Sequence, residues 1–286
     1  MVYNSTSGIV IIDKAGGKSS GAVVGRLKRI YNTPCGHFGT LDPMASGLLV
    51  VGVGRASRLF DYMQGGVKRY EAVFEFGYTT DTLDALGQIT DRTVVLPTIE
   101  GLRAVASNMV GSISQIPPQY SAKVIGGVRA YKLARQGVEV ELKPKDVTIY
   151  SLSIVEQISD TAYAVAVECS SGTYIRSIAR DLAGALGSLA TMTKLRRTNI
   201  GKIDIAGAKT VEEIESNPAA NLISTESIID LPSLYVQGDI AQKIINGIKL
   251  NLNDAPQGSF KIYIDGRFYG IAHTQEGYIK VAYKLV

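Results

Sequence analysis

The chain predicts an α/β protein of the α+β type, and three observations lead there. Apolar runs with strand character and stripes with helical period share the first two hundred residues. Hydrophobic residues make up 45% and charged residues 20% of 286, the balance of a chain with a sizeable core rather than a disordered one. From about Leu231 the pattern changes to short strands in a compact unit. Two domains are therefore expected, 1–230 and 231–286.

The elements follow in order. "SGIVIIDK" (7–14) reads as a buried strand ending in charge. From Ser20, apolar Val23, Val24, Leu27, Ile30 and Tyr31 form a helical stripe, with Lys28 and Arg29 on the wet face. "GLLVVGVG" (47–54) is Leu/Val-rich and too short for a lone helix, hence a buried strand. "KRYEAVFEFG" (68–77) alternates, with Ala72, Phe74 and Phe76 on one face. Leu102, Val105, Ala106, Met109 and Val110 predict a helix over 99–111 that stops at Gly111. Residues 115–145 are bounded by Pro117, Pro118 and Pro144 and read as a flap-like excursion. Two strands, "VTIYSLSIVEQ" and "AYAVAVECSSG", precede a helix over 173–187 whose apolar face is Ile175, Ile178, Ala179, Leu182, Ala183 and Leu186. Residues 208–230 connect to the last unit. There a short helix (239–246) precedes strands that turn at Asp265-Gly266, a strong hairpin signal.

Several function classes are excluded by composition and spacing. Two cysteines without a CxxC pair and two histidines cannot supply a clustered zinc site. "GGKSS" (16–20) lacks the leading glycine of a phosphate loop, since position 12 is Ile12. "GVGRAS" (52–57) ends in serine where a dinucleotide fingerprint needs glycine. No Ser/His/Asp triad is evident. The N-terminus lacks the pattern of a signal peptide, and no run approaches the ~18 apolar residues that span a bilayer. A cytoplasmic protein is expected. The net charge of +4 permits an anionic partner without demanding one.

"GHFGTLDPMASG" (36–47) is the most informative stretch. Its glycines suit close approach of backbone to a ligand, and Pro43 drives Asp42 toward an extended conformation. Such a loop is either a surface turn or one that presents a carboxylate on a rigid scaffold. Other segments mix glycine, tyrosine and arginine: Tyr70 after Lys68 and Arg69, Tyr174 and Arg176 after "SSG", Arg196 and Arg197 after Leu195. An arginine can hold a buried carboxylate ionised, and tyrosines can stack on a nucleobase.

Here the chain resembles a family. "GHFGTLDPMASGLLVVGVGRASR" resembles the signature of the tRNA pseudouridine synthase B family. So, in the same order, do "KAGGKSSG", "KRYEAVFEFGYTTDTLDALGQI", "GSISQIPPQYSAKVIGGVRAYKLARQGVEV", "SSGTYIRSIARDLAGALG" and "LRRTNIG". The likeness covers nearly all of residues 7–201, and the last unit looks like a PUA-type RNA-binding domain.

The resemblance implies a catalytic domain around a mixed, mainly antiparallel sheet with a thumb insertion at about 117–145. It implies conversion of uridine to pseudouridine at nucleotide 55 in the T-loop of tRNA, by base flipping, without cofactor, metal or ATP. Asp42 matches the catalytic aspartate, Arg176 its arginine partner and Tyr70 the tyrosine on the target base. Tyr174 and Leu195 match the pocket wall, and His37 the histidine that supports the flipped loop. Lys14, Lys18, Arg129, Lys132, Arg135, Arg196 and Arg197 would contact phosphates. In "YSAKVIGG", Lys123 stands one place earlier than the family's lysine, with Val124 in its slot, and Phe38 replaces a smaller or polar residue. The partner implied is the T-arm of tRNA, with a monomeric protein, no membrane and no obligatory protein partner. A tRNA-folding factor and a guide-RNA-dependent relative are the rival readings. Asp42, Tyr70 and Arg176 favour an enzyme, and the "QIPPQYSA" thumb favours a stand-alone one.

Overall fold

The computed structural model describes residues 6–63, 65–121, 124–125, 127–134, 136–138, 140–252 and 255–285. Lys123 and Arg135 lie outside the described residues, as do the side chains of Arg129 and Lys132, so the expectations placed on these four are not addressed.

The main sheet runs, from one edge, Gly8–Lys14, Ser46–Val53, Ala190–Ile200, Lys68–Phe76, Ala162–Cys169, Lys145–Gln157 and Gly111–Gln115. Cys35–His37 and Ile203–Asp204 pair to its side. Pairings are antiparallel except where Arg196 and Arg197 run parallel to Ser46 and Gly47. The expected mixed, mainly antiparallel α/β fold is therefore borne out.

At the edge formed by Gly8–Lys14 and Ser46–Val53 both faces of the sheet are covered, which explains the near-continuous apolar runs of these two strands. Val10, Ile12, Leu49 and Val51 join one core with Val23, Val24 and Leu27 of the Ser20–Tyr31 helix and Ile175, Ile178 and Leu182 of the Ile175–Gly184 helix. Their neighbours Ile9, Leu48 and Val50 point the other way, into a second core with Phe38, Ile271 and Leu285. Phe38 fits because Gly52 leaves room for its ring: a Cβ there would lie 2.6 Å from the ring's end.

The C-terminal unit has a core of its own, built from Val236, Ala241, Ile244, Phe260 and Ile262. Its sheet orders Ser233–Val236, Ser259–Ile264, Arg267–Gln275 and Tyr278–Lys284. Asp265 (φ 49°) and Gly266 (φ 77°) both take positive φ, as a two-residue hairpin turn requires. Through Ile271 and Leu285 this unit covers the second face of the sheet at its Gly8–Lys14 and Ser46–Val53 edge. The 117–145 excursion leaves the sheet between two directly paired strands, Lys145 opposite Gln115. Gln119 closes its base by hydrogen bonds to the Val140 backbone.

Two expected helices are shorter than predicted. Ile99–Asn108 ends with Met109 as C-cap, and Gly111 instead opens the strand Gly111–Gln115. The second helix begins at Ile175, with Tyr174 as its extended N-cap; Tyr174 O accepts from Ile178 N (3.1 Å), and the Gln115 side chain accepts from Tyr174 N (2.8 Å) and donates to Tyr174 O (3.2 Å).

Gly47 sits at the parallel crossing with φ 102°, and a Cβ there would overlap the Arg197 carbonyl oxygen. Backbone strain of about 1–3 kcal/mol and overpacking of similar size act together. Gly47→Ala should lose roughly 2–5 kcal/mol of stability in urea unfolding. A loss under about 1 kcal/mol would contradict the crossing.

Candidate active site

The segment 39–43 links Cys35–His37 to Ser46–Val53, and buried side chains from three other elements hold it. Arg197, fully buried, donates from Nη2 to Gly39 O (2.9 Å), from Nη1 to Thr40 O (3.4 Å) and from Nε to Leu48 O (2.9 Å). Ser20, in the first turn of its helix, both donates to Leu41 O (3.0 Å) and accepts from Leu41 N (2.9 Å) through Oγ. Lys14, also fully buried, donates to Ala15 O (2.9 Å), Lys18 O (2.7 Å) and Pro43 O (3.4 Å). The backbone is thus gripped on both sides of Asp42.

The Asp42 carboxylate meets Arg176, whose Nη2 lies 3.0 Å from Asp42 Oδ1 and donates to Tyr120 O (3.0 Å). Nη1 of Arg176 donates to Thr82 O (2.8 Å) and lies 3.4 Å from Asp84 Oδ2. Arg176 and Asp84 side chains are each 6% exposed, whereas Asp42 is 29% exposed. One guanidinium therefore bridges two carboxylates that both line one cavity, and Asp42 is the more open of the two. Asp84 is further fixed by Thr82 Oγ1 (2.7 Å) and Leu86 N (3.0 Å). Burial raises the Asp42 carboxyl above its ordinary value, Arg176 pulls it back, and the charge of Asp84 adds to the rise.

The cavity has a volume of about 900 Å³. Of the residues singled out in the sequence, Asp42, Tyr70, Arg176, His37, Tyr174, Leu195 and Arg197 all line it. Tyr70 reaches it from the second position in from the start of Lys68–Phe76, with the Arg197 charge near its phenol. Burial raises the Tyr70 phenol above its ordinary value, with the Arg197 charge opposing, so it stays protonated at neutral pH.

Three of the cations expected on phosphates are engaged elsewhere. Lys14 and Arg197 are buried with their donors on carbonyls, and burial pushes the Lys14 ammonium down to about 8. Arg196 makes a two-pronged pair with Asp13 (2.7 and 3.1 Å) and does not line the cavity. Burying a cation requires compensating acceptors, and Lys14 and Arg197 found them in their own chain. Asp84 and Ser20 were not singled out in the sequence. Asp84 stands in "TTDTLDALG", where several acids and threonines look like an exposed turn.

A family model described as TruB family pseudouridylate synthase (N terminal domain) matches residues 28–175. The tRNA pseudouridine synthase B of Azoarcus sp. (strain BH72) is 38% identical over 279 residues, 96% of this chain and 93% of that one. The chain belongs to the TruB family of pseudouridylate synthases. The enzyme class expected from the sequence, a pseudouridine synthase, is borne out by this membership. A second relative, the tRNA pseudouridine synthase B of Mycobacterium tuberculosis, is 41% identical over 229 residues, 78% of this chain and 76% of that one. In fold, the chain is similar to one in a solved Cbf5-Nop10-Gar1 complex, with a TM-score of 0.69 over 98% of this chain and 85% of that chain at 20% identity. Among the described residues no helix is long and apolar enough to cross a membrane.

The geometry bears on stability. A carboxyl whose folded pKa is raised favours the fold below its unfolded pKa and loses that contribution as pH rises through the folded value. Ionised Asp42 therefore costs stability at neutral pH, and an amide in its place removes that cost. Arg176 keeps Asp84 and two carbonyls when Asp42 is gone. Asp42→Asn should thus melt within about 1 kcal/mol of the parent at pH 7, rather than losing the several kcal/mol of a stranded buried charge. Thermal unfolding at matched pH checks this.

Proposed function

We propose that the chain converts uridine to pseudouridine at position 55 in the T-loop of tRNA, with Asp42 as the carboxylate that meets the sugar. The observation that carries this reading is the pinned 39–43 segment, which presents one partly exposed carboxylate to a cavity beside a buried tyrosine. The names of the relatives supply the RNA class.

The reaction breaks the N1–C1′ bond and forms a C5–C1′ bond to the same sugar, while C5 gives up a proton and N1 gains one. It is redox-neutral, so it calls for positioning, charge stabilisation and proton movement. Asp42 would attack C1′, help to form a glycal or stabilise an oxocarbenium-like centre. Arg176 keeps it ionised and aimed. Tyr70, a neutral phenol, would stack on the detached base and hold or pass the C5 proton. His37 would support the flipped conformation, with Tyr174 and Leu195 as walls. Residues 231–286 would act as a PUA-like RNA-binding unit, and the 117–145 excursion would close over the stem-loop. The chain would act as a monomer without an obligatory protein partner. The guide-RNA-dependent reading has weaker support, since the likeness to the Cbf5 complex is one of fold.

The test is single-turnover conversion of an unmodified T-arm stem-loop, with chelator and without nucleotide, followed by mapping of the product. The parent should convert the one T-loop uridine. Asp42→Asn should bind within about tenfold, or 1.4 kcal/mol, and form no product. Tyr70→Phe should slow the chemical step by roughly 10²–10⁴. Turnover by folded Asp42→Asn would remove Asp42 from this part, and a near-parent rate for Tyr70→Phe would leave Tyr70 a stacking surface only.

A further inference from the structure

A second group of charges lies in the same cavity, beside Tyr70, and the chemistry above does not use it. Lys68 is two residues before Tyr70 on one strand and faces the same side. It is 6% exposed, and among the described residues its one hydrogen bond runs from Nζ to Ser171 Oγ (2.9 Å). Lys145 comes up against the following residue: a Cβ on Gly172 would lie 2.5 Å from Lys145 Nζ. Gly172 has φ 88°, so the turn that brings this backbone beside the lysine suits glycine. Lys68, Lys145, Ser171 and Gly172 all line the cavity, with Arg197 next to them.

The charge balance of this corner is one-sided. Among the described residues, no Asp or Glu forms an ion pair with Lys68, Lys145 or Arg197. Arg197 has its donors on the carbonyls of Leu48, Thr40 and Gly39. Cys169, beside Lys68, is no counter-ion, because burial pushes its thiol up to about 11. Burial pushes the Lys68 ammonium down to about 8, with Arg197 and Lys145 adding like charge, so it is still mostly charged at neutral pH. A buried ammonium with three donors and one hydroxyl partner leaves two donors unmatched among the described residues. Such a group is costly unless an anion completes it.

We propose that Lys68, with Lys145 and Ser171, forms a subsite for one phosphodiester of the substrate RNA, flanking the nucleotide whose sugar faces Asp42. This rests on the proposed function, which brings an RNA strand into the cavity. Lys68 and Tyr70, two apart on a strand, lie roughly 6–7 Å from each other, close enough for one nucleotide to meet both. The phosphate receives the free Lys68 donors and the Ser171 hydroxyl, and Lys145 supplies the second positive charge from the rim. The buried lysine then acts in register, fixing where the strand sits and so which atom Asp42 meets.

The experiment replaces single phosphates of the T-arm stem-loop by uncharged methylphosphonates, one linkage at a time on either side of the target uridine. Binding and single-turnover conversion are measured for the parent, Lys68→Gln and Lys145→Gln, each first checked by a melting curve. One linkage should weaken binding to the parent by about tenfold, the size of one charge-assisted contact. The same RNA should cost the Lys68→Gln variant less than about twofold, because the contact is already gone. Lys145→Gln, an exposed change, should show the same loss of sensitivity in smaller measure and serves if Lys68→Gln does not fold. Inorganic phosphate at millimolar concentration should compete only weakly, since the subsite takes a phosphate held by its strand. Penalties that simply multiply in both variants, or no sensitive linkage, would overturn the subsite while conversion by the parent leaves the proposed function standing. No conversion by the parent would overturn the proposed function, with the binding comparison still deciding the subsite.

Discussion

Everything in the cavity depends on how the backbone on either side of Asp42 is held. Three buried polar side chains, from a strand end, a helix start and a central strand, bind carbonyls or amides of Gly39, Thr40, Leu41 and Pro43. Irregular backbone has no ladder of its own to satisfy it, so its polar groups need partners from elsewhere. Lys14 and Arg197 meet that need while meeting their own, since a buried cation is tolerated where carbonyls surround it. The result is a loop with the fixity of a sheet. Fixity is the property a reacting carboxylate requires, because small misplacements are expensive in rate.

The same economy recurs at Arg176. It is held by two carbonyls and two carboxylates, and Asp84 is the more enclosed of the two acids at the cavity wall. Asp42 is then the partner at the open side. An isolated buried carboxyl would rise far and lose its charge, and one fully satisfied by arginine would be a poor nucleophile. Asp42 lies between these limits: burial and Asp84 raise it, and Arg176 pulls it down. Sharing one guanidinium between two acids is a way to keep one of them ionised and reactive at once.

Much of this was legible in the residues. Alternation and runs revealed Gly8–Lys14, Ser46–Val53, Lys68–Phe76 and the two strands before the Ile175–Gly184 helix, because their burial follows a simple period. The strand Ala190–Ile200 was not legible, although it sits at the centre of the sheet. It carries Thr191, Lys194, Arg196 and Arg197, and its polar buried positions are satisfied by partners distant in sequence. Periodicity cannot register that. For the same reason Lys14 and Arg197 looked like surface cations for phosphate. Their spacing was right for the site, but only the fold shows that they face inward. Asp84 was hidden by the opposite effect: a buried acid in a stretch with turn-like composition.

The pH dependence of the chemical step tests the shared-arginine device most directly. The single-turnover rate at saturating enzyme should fall on the acid side as Asp42 is protonated, with the limb lying above the ordinary carboxylate value of about 3.9. Asp84→Asn removes the neighbouring charge that helps to raise Asp42. In that variant the limb should move to lower pH, even as the maximal rate falls through looser aim of Arg176. An acid limb at the ordinary value in the parent, or one that stays in place in Asp84→Asn, would contradict a carboxylate tuned by burial and by a second acid on the same guanidinium.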